Sequence, residues 1–328
     1  MNSNLISQPV TRRELLRAAS FVAGGSALAS FLPRTLLAEA QGASGSGSAL
    51  DQMIDQMASV PLQSMKLRDN ITLLYGPGGN MVVLDGPDGK VLVDCSFGKV
   101  APKVKGMLDG ISNMPLKVLI DTHWHFDHTN GNAAMHQNGA TILAHENTRK
   151  RLSTPQTIEF FKINFPPSPP EAIPQLTFTD TFKLYYNKEE IVLTHVVPAH
   201  TDTDIHVHYR TSNVLHMGDT FFNGMYPFLD ASTGGRINGM IAAAAKGLTM
   251  TDASTKIVPG HGPVGDKAAL TKYHNMLVTV RNRVKEQKAA GKKLEEVIAA
   301  KPTAEFDAAL GGGLLKPDQF VMLVYTTL

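Results

Sequence analysis

Residues 122–128 read Thr-His-Trp-His-Phe-Asp-His and follow directly on the apolar run Leu116–Asp121. A short apolar run of this kind reads as a buried strand. The motif therefore opens at a strand's end, with four metal-competent side chains (His123, His125, Asp127 and His128) inside six residues. Alternate residues of extended backbone share a face, so His123 and His125 aim the same way. Asp127 and His128 follow where the chain turns into a helix. An ordinary polar loop has no need of such a set, and the fold must bring other strand ends to meet it.

Three later segments repeat the arrangement. Pro198-Ala199-His200-Thr201-Asp202-Thr203 follows a strand ending at Val197, and His216-Met217-Gly218-Asp219-Thr220 follows Asn213–Met217. Ile257-Val258-Pro259-Gly260-His261-Gly262 delivers a histidine onto a glycine-flanked turn. Each time an apolar strand stops, a ligand-type residue appears.

The surrounding pattern supplies two batches of strands, each followed by helices. Strands are expected at Ile71–Tyr75, Asn80–Leu84 and Lys90–Asp94, the last two joined by a hairpin turn at Gly86-Pro87-Asp88-Gly89. A helix over Val100–Ser112, a helix over Gly131–Gly139, a strand over Thr141–Ala144 and a helix over Glu146–Ser153 follow. Phe165–Pro174 carries five prolines and reads as a loop, a candidate for selectivity together with residues 221–236. Further strands are expected at Thr177–Phe182, Glu190–Val197, Asp204–Tyr209 and Asn213–Met217. Helices are expected at Ile237–Leu248, Lys267–Ala290 and Leu294–Ala300, with a final strand at Phe320–Tyr325.

The N-terminus reads as an export signal. Arg12-Arg13 precede a weakly hydrophobic stretch, Ala18–Leu32, and the small-x-small sequence Ala38-Glu39-Ala40 follows. Residues 1–40 are expected to be a twin-arginine signal peptide recognised by the twin-arginine export machinery, and 41–60 a Gly/Ser-rich flexible linker. The protein is expected to be periplasmic or otherwise exported, without a membrane span in its mature form. The apolar stretch is shorter than the ~20 residues that a span requires. The first forty residues hold four Arg against two Glu, so the remaining chain is formally neutral. Phosphate-tracking proteins show a basic excess, which argues against nucleic acid as a partner and for a small-molecule substrate. The one cysteine, Cys95, excludes an intramolecular disulfide and reads as a small buried hydrophobe.

In its ordered set of ligand-type residues the chain resembles the metallo-β-lactamase-fold hydrolases. Their signature is His-x-His-x-Asp-His, a distant His, an Asp (Cys in one β-lactamase subclass) and a last His. Here these are His123, His125, Asp127, His128, His200, Asp219 and His261. An early strand-closing Asp of that family matches Asp94. The resemblance spans roughly residues 67–265 and implies an α/β fold, a four-layer αβ/βα sandwich with metals at one edge between two sheets. Residues 61–328 would form one catalytic domain with a helical C-terminal extension.

The resemblance further implies Zn2+ as cofactor, two ions per chain. His123, His125 and His200 would hold one, and Asp127, His128 and His261 the other. Asp219 would bridge both, and Asp127 would also act in catalysis. Imidazole and carboxylate are ordinary zinc ligands, and two metals ~3.5–4 Å apart can hold a hydroxide and polarise a scissile group together. The implied reaction is attack of that hydroxide on an ester-, thioester-, lactone- or amide-type carbonyl, with a zinc stabilising the oxyanion. Asp at position 219, where one subclass has Cys, is similar to glyoxalase II and the lactonases and weakens, without removing, a β-lactamase assignment.

Two readings from other classes stand beside this one. A mononuclear iron persulfide dioxygenase on the same fold would need only a set such as His123, His200 and Asp219; a non-catalytic binding protein would need none. Among the remaining polar residues, His206 and His208 read as packing, His145 as structural at a strand–helix junction, and Asp94 as a group that orients a ligand imidazole. Thr201 reads as a similar aid to His200. Trp124 is expected to point away from the metals and pack. Phe221, Phe222, Tyr226 and Phe228 read equally well as substrate wall or as core.

Overall fold

The computed structural model describes residues 49–328; the leader and the first part of the expected linker lie outside the described residues. Helix α1 (Ala49–Ala58) occupies the second half of the segment expected to be a linker, so chain expected to be flexible is helical from Ala49 onward. Four antiparallel strands come next: β1 (Gln63–Arg68), β2 (Ile71–Tyr75), β3 (Met81–Leu84) and β4 (Lys90–Val93). Helix α2 (Ala101–Ile111) then returns the chain to β5 (Leu116–Ile120), parallel to β4. Two short helices, α3 (Phe126–Thr129) and α4 (Asn132–Gln137), lead to β6 (Thr141–His145) and α5 (Glu146–Leu152). A small hairpin, β7 (Gln156–Ile158) with β8 (Ile163–Phe165), stands apart from the two main sheets.

Two strands replace the one expected over Thr177–Phe182. β9 (Leu176–Phe178) closes the first sheet alongside β6, and β10 (Thr181–Tyr186) opens the second alongside β11 (Glu189–His195). Thr179 and Asp180 carry the crossover. The Thr179 carbonyl lies 2.8 Å from His145 Nε2, and the Asp180 carbonyl accepts from His195 N at 2.8 Å. β12 (Ile205–Tyr209), β13 (Val214–His216), helix α6 (Ile237–Thr249) and β14 (Lys256–Val258) complete the second sheet and begin its helical cover. The chain ends in α7 (Lys267–Ala289), α8 (Leu294–Ala299), α9 (Ala304–Leu310) and α10 (Pro317–Thr326).

α10 occupies the segment expected as a final strand. Its run of Phe, Val, Leu and Tyr suggests extended chain. However, Pro317 stands in the first turn, and Phe320, Val321, Leu323 and Val324 are the buried set, an i, i+1, i+3, i+4 spacing.

The seven-stranded sheet runs β1-β2-β3-β4-β5-β6-β9 and the five-stranded sheet β10-β11-β12-β13-β14. Period-two burial sorts their side chains. On β3, Val82 and Leu84 enter the cluster between the sheets with Ile120, Leu193 and Val207. Met81 and Val83 instead pack outward with Leu74 against Val104 and Leu108 of α2 and Met135 of α4. On the far side Leu215 and Ile257 meet Met240 and Ala243 of α6, Leu277 of α7 and Phe320 of α10. The result is the expected αβ/βα sandwich. No helix among the described residues is long and apolar enough to cross a membrane.

Candidate metal centre

Four loops leaving the ends of β5, β11, β13 and β14 deliver the seven residues singled out by pattern, and the structure brings all of them together. His123, His125, His200 and Asp219 form one group able to hold a cation; Asp127, His128 and His261 form a second. Within each group the ligand atoms lie within 4.8 Å of one another. Asp219 joins the groups, with Oδ2 3.4 Å from both His200 Nε2 and His261 Nε2 and Oδ1 3.2 Å from His128 Nε2. Asp127 Oδ2 lies 3.1 Å from His261 Nε2.

The outward nitrogen of each imidazole shows which nitrogen points inward. His200 Nδ1 lies 2.8 Å from the Phe228 carbonyl, and His125 Nε2 lies 3.1 Å from Asp230 Oδ2. Those oxygens can only accept, so both outward nitrogens carry the proton. The inward pair, His125 Nδ1 and His200 Nε2, is 2.8 Å apart. In neutral rings these are two lone pairs facing each other, which a shared cation resolves. His123 Nδ1 lies 3.0 Å from Thr122 Oγ1, which in turn donates to Asp94 Oδ2 at 2.8 Å. His123 Nε2 is then left buried with no hydrogen-bond partner. An orphaned buried nitrogen costs free energy unless something binds it. The donor set therefore fits a metal.

Charge points the same way. Burial, then the neighbouring imidazoles, push His123 well below the ordinary histidine range, and burial takes His200 down to about 4. Against the same penalty, the Asp219 and Asp127 carboxylates raise His261 to about 9. Asp127 falls to about 2 despite its burial, because His128 and His261 stand beside it. Left to itself the pocket recruits positive charge onto His128 and His261; metal uptake would displace those protons.

Asp94 bonds one of the expected ligand imidazoles. Its Oδ2 is 2.7 Å from His128 Nδ1, and Oδ1 accepts from Thr122 N at 2.7 Å. Thr201 does not act on a ligand ring: its hydroxyl donates to Asp204, whose Oδ2 also accepts from His200 N, bracing the turn. His206 and His208 are buried on β12 and belong to neither group, and His145 caps α5 by accepting from Asn147 N. Cys95 is buried, its thiol donating to the His128 carbonyl and to Asn132. Burial and the nearby carboxylates push it well above the usual thiol range, so it is no nucleophile.

Trp124 packs, with Nε1 3.2 Å from Thr233 Oγ1 and its ring edge-on to His125 at 4.7 Å and to Phe165 at 5.8 Å. Phe165 also contacts Phe126 at 5.1 Å. The proline stretch beyond it is tied to the first sheet and α4: Ile142 O accepts from Gln175 N, and Ala172 O accepts from Asn132 Nδ2. The hairpin before it packs instead on Phe228, a neighbour of the cluster. Phe160 and Phe161 pack on Phe228, which lies 6.1 Å from His125 and 5.7 Å from His200. Phe222 stacks on His261 at 5.5 Å, whereas Tyr226 stacks on Phe320 and belongs to the core. Among the described residues, no Lys or Arg side chain forms a hydrogen bond or ion pair with any of the seven.

A family model described as the metallo-beta-lactamase superfamily matches residues 74–281. Similar solved structures include a metallo-beta-lactamase from Pontibacter korlensis, 18% identical over 66% of this chain and 99% of that one, with a TM-score of 0.55. The DIM-1 metallo-beta-lactamase is 21% identical over 67% and 99%, with a TM-score of 0.53. A metallo beta lactamase from Hirschia baltica is 16% identical over 66% and 98%, also at 0.53. At these identities the likeness is one of fold. No curated protein matches the chain.

Proposed function

The chain belongs to the metallo-beta-lactamase superfamily, and on that footing we propose that it is a zinc-dependent hydrolase of a small substrate with an ester, thioester, lactone or amide carbonyl. The observation that carries this reading is the meeting of two complete ligand groups at Asp219. His123, His125 and His200 would hold one zinc, Asp127, His128 and His261 the other, with Asp219 shared. Bound there, a zinc pair would lower the pKa of water and polarise a carbonyl oxygen.

The chain's own residues do the rest. Asp127 and His261 are the ligands that retain some exposure, with side chains 12% and 22% accessible, so substrate approaches from their side. Asp127 is the carboxylate placed there to take a proton from water. Phe222 stacks on His261 at 5.5 Å and gives that side an apolar flank, which favours a substrate with an uncharged group there. No protein nucleophile is needed, consistent with the inert surroundings of Cys95. Completeness of the group Asp127, His128 and His261 favours two metals over the single iron of a persulfide dioxygenase.

We further propose export by the twin-arginine route with removal of the leader near Ala40, supported by Arg12-Arg13, the following apolar stretch and Ala38-Glu39-Ala40. The deciding experiment is a hydrolysis panel on zinc-loaded protein, covering neutral esters, lactones, thioesters, β-lactams and phosphodiesters. Asp127→Ala and His261→Ala serve as controls that should abolish turnover with the fold kept. A β-lactam as best substrate would move the assignment to β-lactamase. Two bound zincs with no turnover, or full activity in either control, would reject the mechanism.

A further inference from the structure

Asp230 lies outside the seven-residue set, on irregular chain between Asp219 and α6, and is 1% exposed. One carboxylate oxygen, Oδ1, accepts from Ser232 N at 3.1 Å and from the Ser232 hydroxyl. The other, Oδ2, accepts from the Thr233 hydroxyl and faces His125 Nε2 at 3.1 Å. The backbone around it is clamped to the neighbouring ligand. Asp230 N donates to the His200 carbonyl at 2.9 Å, and Gly235 N donates to the Asp230 carbonyl at 2.7 Å. Two residues earlier, the Phe228 carbonyl takes His200 Nδ1. One segment, 228–235, thus sets the outward nitrogens of both His125 and His200.

We infer that Asp230 is a positioning residue acting through His125: its carboxylate keeps the proton on Nε2, so that Nδ1 faces His200 Nε2 as a free lone pair. His125 is then the ligand that must use the nitrogen nearer its backbone, whereas His123 and His200 use Nε2. An imidazole ring has two ways to sit, and an outer carboxylate selects one while making the inner nitrogen a stronger donor. The hydrogen bonds of Asp230 go to His125, His200, Ser232, Thr233 and Gly235 and to no residue of the second group, so its effect is confined to the position of His123, His125 and His200.

This inference rests on the two-metal reading, and the test separates the two. Asp230→Asn keeps an oxygen for Ser232 but turns an amide NH2 toward His125 Nε2–H, donor against donor. Zinc per chain would be followed during competition with a chelator, alongside the melting temperature of metal-free protein. Wild type should bind two zincs. Asp230→Asn should hold one with unchanged affinity and the other about 10- to 100-fold more weakly, with the metal-free melting temperature preserved. Ser232→Ala, which perturbs the same turn and leaves the carboxylate, should bind as wild type. In zinc-loaded wild type, nitrogen-15 NMR should show His125 protonated at Nε2, a readout that needs no variant. Equal affinity in Asp230→Asn, an equal loss in Ser232→Ala, or a proton on His125 Nδ1 would overturn the inference alone. Wild type without zinc would overturn the two-metal reading and this inference with it.

Discussion

Asp94 Oδ2 lies 2.7 Å from His128 Nδ1 and 2.8 Å from Thr122 Oγ1, whose oxygen meets His123 Nδ1. One carboxylate thus orients an imidazole in each of the two groups, directly for His128 and through a hydroxyl for His123. It does so from a backbone φ of 59°, a left-handed conformation that asparagine and aspartate tolerate better than most residues. Asp94→Asn keeps that backbone but can offer only one acceptor oxygen where two are used. Both zincs should bind more weakly, by about 10- to 100-fold each. Chelator competition checks this, and the two-site loss contrasts with the single-site loss expected at Asp230.

Acid stability should depend on His206. The ring is fully buried, with Nε2 2.9 Å from Thr220 Oγ1 and Nδ1 unpartnered. Burial, then Lys246 and nearby imidazoles, lower its pKa from 6.5 to about 3. The folded value lies below the unfolded one, so the unfolded chain takes up the proton first as pH falls. The stability is present above pH 6.5 and is lost through the window down to about 3. Inside the window the slope is about 1.4 kcal/mol per pH unit, or about 2 kcal/mol between pH 6.5 and 5. Urea unfolding of metal-free protein at about pH 7.5 and pH 5 should show His206→Gln losing less stability than wild type by about that amount.

The hairpin tip should govern substrate size. Phe161 packs on Phe228 at 4.9 Å and Phe160 at 5.6 Å, and both are half-buried. Neither touches a ligand. Truncating Phe161 to Ala should raise KM for substrates with an aryl or long acyl group by about 10-fold, in line with ~1–3 kcal/mol per lost apolar contact. Turnover of the smallest ester should hold. An equal drop for every substrate would mean that the hairpin merely supports Phe228.

What the sequence makes legible here follows from range. Ligand-type residues at strand ends announce themselves, because an apolar run that stops on a histidine is a local pattern; all seven meet. Asp94 is legible for the same reason, closing the strand Lys90–Val93. Asp230 is not: its partner His125 is 105 positions away, and the segment between Asp219 and α6 has no periodicity to mark it. The hairpin Gln156–Phe165 is hidden by strands of three residues each, too short to alternate visibly. The last helix shows the opposite failure. A run rich in β-branched and aromatic residues resembles a strand, and its burial against α7 and the second sheet's cover decides the matter.

Gly260 leaves no room for a side chain beside Asp219. A Cβ there would stand 1.8 Å from Asp219 Oδ1, 2.7 Å from the Gly218 carbonyl carbon and 2.8 Å from Asp219 N. Two of those atoms are backbone, so rotating the Asp219 side chain relieves only part of the clash. Gly260 N also donates to the Gly218 carbonyl at 2.7 Å and to the Phe221 carbonyl at 3.1 Å, which holds the two turns together. Gly260→Ala must therefore push the 218–221 turn away, and Asp219 leaves the place where it serves both groups. Zinc content should fall at both positions and turnover by about 100-fold or more, with circular dichroism little changed because the sheets are untouched. Gly106→Ala is the matched control. It lies in α2 with nothing within 4 Å of its added Cβ, and should stabilise the helix by up to ~1 kcal/mol with activity and zinc content unaltered. A Gly260→Ala protein that retained both zincs would show that Asp219 is not held by this approach.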